Sequence, residues 1–184
     1  KTLAAGGVRC GVNTVLSKPL LDADGALDAL GEQVAAAGAR EWQWLRFKPV
    51  GRGAAAWASL APPPEQLDET LPRALELGER LGLTVRIDCA LVPFVAPVVD
   101  DPDRLRQLGV VGCPGGVGLW ARSAAGAWAP CSFSSGQAAP ESLAAHWRRE
   151  PSLARWRDRA SAPPEPCASC AVASVCRGGC RVVA

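Results

Sequence analysis

The chain has 184 residues, 48% apolar and 21% charged, with a net charge of +2. That composition supports a buried core and excludes a disordered tail, while its interspersed charges exclude the broad basic face of a nucleic-acid binder and the acidic block of a cation sponge. No apolar stretch approaches the roughly 20 residues of a membrane span and no secretory leader opens the chain, so a soluble, unexported protein is expected.

Val8 to Leu16 alternates and carries Val8, Val12 and Val15, which predicts a strand. Asp22 and Asp24 precede a helical pattern in which Leu27, Leu30 and Val34 recur at three- and four-residue spacing, with Gly38 placed to end the helix. A second strand follows from Glu41 to Lys48. The order strand, helix, strand predicts a βαβ unit with parallel strands, part of an α/β layer or barrel. Pro49 to Gly53 breaks the second strand at its C-terminal end, where parallel α/β folds place ligand-binding loops. Pro62, Pro63 and Pro64 lead into a helix from about Glu65 to Leu81, with Pro72 either kinking it or starting a second one, and Gly82 closing it. Leu83 to Cys89 alternates as a third strand, with Cys89 at its end. Prolines 93, 97 and 102 crowd the next stretch and place a domain boundary between Ala90 and Asp103.

Beyond that boundary the elements are short and lie between cysteines. Val117 to Arg122 and Ala127 to Cys131 flank Ser123-Ala124-Ala125-Gly126 and predict a β-hairpin. Antiparallel strands return the chain to its start, so Cys113 before the hairpin and Cys131 at its end are brought near each other. His146 to Arg159 predicts an amphipathic helix interrupted near Pro151, its arginines a solvated face, and residues 161 to 166 a linker. Trp42 and Trp44 share one face of their strand, Trp120 and Trp128 face each other across the hairpin, and His146, the lone histidine, is expected at the surface.

Cysteine spacing carries the chemistry. The first 110 residues hold two of the eight cysteines, Cys10 and Cys89, and the rest fall into two spaced sets. Upstream stands Cys113-x12-Gly126-x4-Cys131; the C-terminal run is Cys167-x2-Cys170-x5-Cys176-x3-Cys180. A secreted chain with eight cysteines would ordinarily hold four disulfides, but disulfide scaffolds are short and loop-rich, and this chain builds a core without them. Thiolates gathered this way with one histidine suit soft metal centres, iron-sulfur clusters or zinc, in a reducing cytoplasm. Gly178 and Gly179 free the backbone to pass close to a bulky group. Zinc remains open at this level, since one tetrahedral ion takes four sulfurs.

Both sets together resemble the SPASM domain of radical S-adenosylmethionine (SAM) enzymes, with six of its seven patterned cysteines. The resemblance implies two auxiliary [4Fe-4S] clusters with interleaved ligands: Cys113, Cys131 and Cys180 for the first, Cys167, Cys170 and Cys176 for the second. The family's seventh cysteine would follow the last motif, where this sequence ends at Ala184. The first cluster's remaining ligand is then Cys89, a substrate or none; the alternative for Cys89 is a small apolar residue closing its strand. Gly11-Val12-Asn13-Thr14-Val15-Leu16 and Trp44-Leu45-Arg46-Phe47-Lys48-Pro49-Val50-Gly51-Arg52 resemble the fifth and sixth strands of a radical SAM partial barrel. That implies SAM contacts from Asn13, Arg46 and Arg52, against a structural reading of a buried Asn and of arginines paired with acids.

One departure is decisive for activity. The C-x3-C-x2-C motif that binds the family's catalytic cluster does not occur, nor do the first four barrel strands, so this chain alone is not expected to cleave SAM. With no Met anywhere and an opening on Lys1, a fragment of a longer enzyme is expected, or a degenerate remnant. The resemblance therefore implies residues 1–95 as the second half of a radical SAM barrel and 96–184 as a truncated SPASM domain. Its intact parent would use a 5'-deoxyadenosyl radical to modify a peptide or protein, with an electron donor as partner. A zinc-stabilised binding module and a non-catalytic electron-transfer or scaffold protein are the alternatives.

Overall fold

A computed structural model of the chain describes residues 2–96, 98–99, 101–110, 112–138, 142–162 and 164–183, with backbone alone for residues 2, 159 and 160. Pro97 of the predicted boundary, Pro163 of the predicted linker and the side chain of Arg159 lie outside the described residues. The fold is mixed α/β, with one small parallel and one small antiparallel sheet, in two compact units, Lys1–Val110 and Val111–Ala184.

The first unit runs α1 (Thr2–Ala5), β1 (Gly11–Leu16), α2 (Lys18–Asp22), α3 (Ala26–Ala36), β2 (Glu41–Arg46), α4 (Arg52–Leu60), α5 (Pro64–Arg80), β3 (Thr84–Ile87), α6 (Val92–Val95) and α7 (Pro102–Gln107). Its three strands are parallel in the order β1-β2-β3, with Val12 opposite Trp42 and Trp42 opposite Val85. This is the βαβ arrangement that the hydrophobic periods predict. β2 is central and alternates strictly over its first four residues: Trp42 and Trp44 are both fully buried and meet edge to face, ring centroids 5.3 Å apart. The indole N–H of Trp42 donates to Thr14 Oγ1 at 2.9 Å, satisfying a polar atom that burial would otherwise penalise.

α5 covers the sheet with Leu67, Leu71, Ala74, Leu77 and Gly78, a stripe at helical spacing. The helix runs through Pro72 as one element. Proline there leaves the Asp68 carbonyl without its usual donor, and Asp68 is on the exposed side, where water can take that role. α4 is not foreseen by the sequence reading, which ends its loop at Gly53. Arg52-Gly53-Ala54-Ala55-Ala56 has no apolar stripe, and the helix is anchored through Trp57, whose ring lies 6.1 Å from that of Phe47. The unit extends past position 95 because α6 and α7 complete its core. Val92, Val95, Leu105 and Val110 are buried, and the Ile87 N–H donates to the Leu108 carbonyl at 2.8 Å.

The second unit runs β4 (Ala121–Arg122), β5 (Trp128–Ala129), α8 (Leu143–Arg149), α9 (Pro151–Ser161) and α10 (Ala173–Cys176). β4 and β5 are antiparallel, shorter than predicted, with Gly126 at φ 85° in the turn. Trp120 and Trp128 do meet, at 4.4 Å between centroids. His146 is not a surface residue. Its ring stacks on Trp120 at 5.0 Å, its Nδ1 lies 3.6 Å from Glu150, and its side chain is only 9% exposed. An aromatic cluster built from the hairpin and α8 encloses it, and helical periodicity alone carries no information about that hairpin.

Candidate metal centre

Each cysteine of the second unit is held by a tight turn. Gly112, at φ 72°, delivers the chain to Cys113, and the Pro114 carbonyl then accepts the N–H groups of Val117, Gly118 and Leu119. The hairpin returns the chain to Cys131, whose N–H donates to Ser134 Oγ at 3.2 Å. Cys167 and Cys170 bracket a turn in which the Cys170 N–H donates to the Cys167 carbonyl at 3.3 Å. Between Cys176 and Cys180, Arg177, Gly178 and Gly179 are all left-handed, at φ 52°, 76° and 65°. Two glycines adopt this region freely; an arginine there carries strain of the kind found where a loop is over-determined.

Backbone N–H groups point at three of the sulfurs. Phe133 N–H reaches Cys131 Sγ at 3.5 Å and Val182 N–H reaches Cys180 Sγ at 3.4 Å, each two residues beyond its cysteine. The N–H groups of Gly178 and Gly179 do the same for Cys176. Such donors stabilise negative charge on sulfur and belong to a loop that turns back over its own thiol.

The thiols sense each other in two groups. Burial pushes the Cys131 thiol up, and the neighbouring Cys113 and Cys180 push it further, against the pull of the Phe133 N–H and the Ser132 hydroxyl. Burial likewise raises Cys176, with Cys167 and Cys170 adding to it. Cys131 thus has Cys113 and Cys180 among its neighbours, and Cys176 has Cys167 and Cys170. Gly115 shows how closely the segments approach. A Cβ added there would stand 2.4 Å from the Trp156 ring and 3.1 Å from the carbonyl of Pro130, the residue before Cys131. Gly112 lies as tightly on the other set, where its Cβ would meet the Cys176 carbonyl at 2.8 Å. No disulfide joins cysteines among the described residues. Among the described residues, no group of three or more His, Cys, Asp or Glu is placed to hold a single metal ion.

In the first unit the predicted SAM contacts lie on three different elements. Asn13 is exposed on β1 rather than buried, and Arg52 is exposed at the start of α4. Arg46 ends β2, with its guanidinium 3.4 Å from the Ala90 carbonyl and 4.9 Å above the Phe94 ring. Cys89 is half-buried just past β3, and Cys10, just before β1, donates its S–H to the Val8 carbonyl at 3.3 Å.

Sequence reasoning missed an ion pair at the C-terminal ends of β2 and β3. Lys48 Nζ contacts Asp88 Oδ2, with both side chains about nine-tenths buried. Asp88 also accepts the N–H groups of Arg46 at 3.3 Å and Ala90 at 3.1 Å. A carboxylate directly after a parallel strand is the only sequence signal that pointed there. A cleft of about 770 Å³ opens at the other end of the sheet, lined by residues such as Arg9, Arg40, Glu41 and Thr84. It lies at the strand starts, away from the end where parallel sheets build their sites.

Comparison with family models, curated proteins and solved structures finds no match for this chain. Among the described residues no helix is long and apolar enough to cross a membrane.

Proposed function

We propose that this chain is part of a radical SAM enzyme that modifies a peptide or protein, and that its second unit is a SPASM-like domain holding two auxiliary [4Fe-4S] clusters. The observation that carries the reading is the grouping of the thiols, Cys131 with Cys113 and Cys180, and Cys176 with Cys167 and Cys170. That is the interleaved division the cysteine spacing implies by resemblance, and a linear reading of the four C-terminal cysteines would not produce it.

The residues fit such a group. The donors are soft thiols, and backbone N–H groups already point at three of them. A buried guanidinium in the same unit, Arg181, has no acceptor among the described residues. A cubane takes its thiolates at separate corners, which suits sulfurs delivered by separate turns. When bound, such clusters supply one-electron transfer and an iron site for anchoring a ligand. The protein's part is to desolvate the thiols, aim N–H groups at the sulfurs and limit solvent access, since Cys113 and Cys180 are buried. In the first unit, the C-terminal ends of the parallel strands bring Arg46, Lys48 and Asp88 together, and this end is the proposed half of a SAM cradle.

Anaerobic reconstitution tests the reading. About eight irons with equivalent acid-labile sulfide are expected per chain, four for each cubane. Cys131→Ala and Cys176→Ala should each remove about half, and the double variant all of it. A colourless product, or zinc without sulfide, would sink the proposal.

A further inference from the structure

Arg181 follows Cys180 directly. Its Nε, Nη1 and Nη2 are all shut off from solvent, and none has a hydrogen-bond acceptor among the described residues. The guanidinium lies 5.5 Å over the Trp156 ring, a contact that addresses its face and leaves its N–H edge unanswered. An arginine cannot shed its proton to escape burial, so an enclosed guanidinium without an anion is among the costliest arrangements in a protein. Trp156 also packs on Gly115, which abuts Pro130, so the cation stands in the same knot of chain as Cys113, Cys131 and Cys180.

We propose that Arg181 is the charge partner of the centre built on Cys113, Cys131 and Cys180, its guanidinium balancing the negative charge of the thiolate-bound core and holding that core's reduction potential up. This rests on the cluster reading above. Net charge and hydrogen bonding near the sulfurs are the protein's main means of setting such potentials. A fixed cation favours the reduced, more negative state. Arg181 is thus a positioning residue, expected to act on one of the two clusters.

The test is a dithionite titration followed by electron paramagnetic resonance on the reconstituted full chain, in wild type, Arg181→Gln and Arg181→Lys. One of the two midpoint potentials should fall in Arg181→Gln by about tenfold in the oxidised-to-reduced ratio, about 59 mV for one electron. The other potential should stay put, and Arg181→Lys should restore most of the loss. Failure of Arg181→Gln to hold one cluster, with Arg181→Lys loading normally, supports the same role. Unchanged potentials in a fully loaded Arg181→Gln protein overturn this inference and leave the cluster reading intact, and loss of iron from both variants overturns it as well. A wild-type chain that takes up no iron and sulfide removes the cluster reading and this inference together.

Discussion

Lys48 and Asp88 are forty residues apart in sequence and in contact at the strand ends. Breaking one side of a buried pair leaves the other charge uncompensated, which typically costs about 3–5 kcal/mol, whereas replacing both with apolar groups is often close to neutral. Lys48→Met should therefore lower the unfolding free energy by about 3 kcal/mol, and Lys48→Met with Asp88→Leu should recover most of that; urea denaturation of the three proteins checks it. The thiols give a second residue-level prediction. In the metal-free protein Cys131 and Cys176 titrate above their usual range because they are buried. The unfolded chain then loses thiol protons first as pH rises, so it binds fewer protons than the native state and stability must fall with pH. Melting temperatures of the metal-free chain should decline as pH climbs past the ordinary thiol range of about 8.5, and Cys131→Ala with Cys176→Ala should flatten that decline.

Among the elements, α5 shows how tertiary packing reverses a local preference. Gly78 lies inside this helix, where alanine ordinarily gains about 1 kcal/mol. Here an added Cβ would sit 2.2 Å from Val85 Cγ2 on β3, so helix and strand would have to part. Gly78→Ala should destabilise the protein by about 1–3 kcal/mol, read by thermal or chemical denaturation. A gain in stability would mean that the helix stands off from the sheet. β2 and α5 were legible in the sequence because their apolar residues recur at periods two and 3.6. α4 was not, since its alanines mark no face and its aromatic anchor, Trp57, packs on Phe47, ten residues back in the chain. The hairpin was placed by its turn chemistry, but its paired length was not: β4 and β5 keep two residues each.

As a whole, the molecule distributes its buried large side chains unevenly between its two units. The first contains a sheet, a covering helix and two fully buried tryptophans; the second buries fewer large residues, Leu153 and Val175 among them, alongside Cys113 and Cys180. A unit whose core is partly sulfur should depend on what those sulfurs bind. Limited proteolysis of metal-free protein should therefore cut first within 111–184 and leave a resistant fragment near 1–110, while reconstituted protein should resist throughout; equal resistance with and without metal would contradict this.

Spacing of the cysteines, the alternation at Trp42 and Trp44 and the stripe on α5 are local patterns, and a linear chain displays them whole. The approach of Cys113 and Cys180 to Cys131, the contact of Lys48 with Asp88, the enclosure of His146 and the enclosed guanidinium of Arg181 are different in kind. Each depends on segments meeting across distances at which no periodicity links them, and on whether the groups brought together can satisfy one another's charges and hydrogen bonds once water is gone.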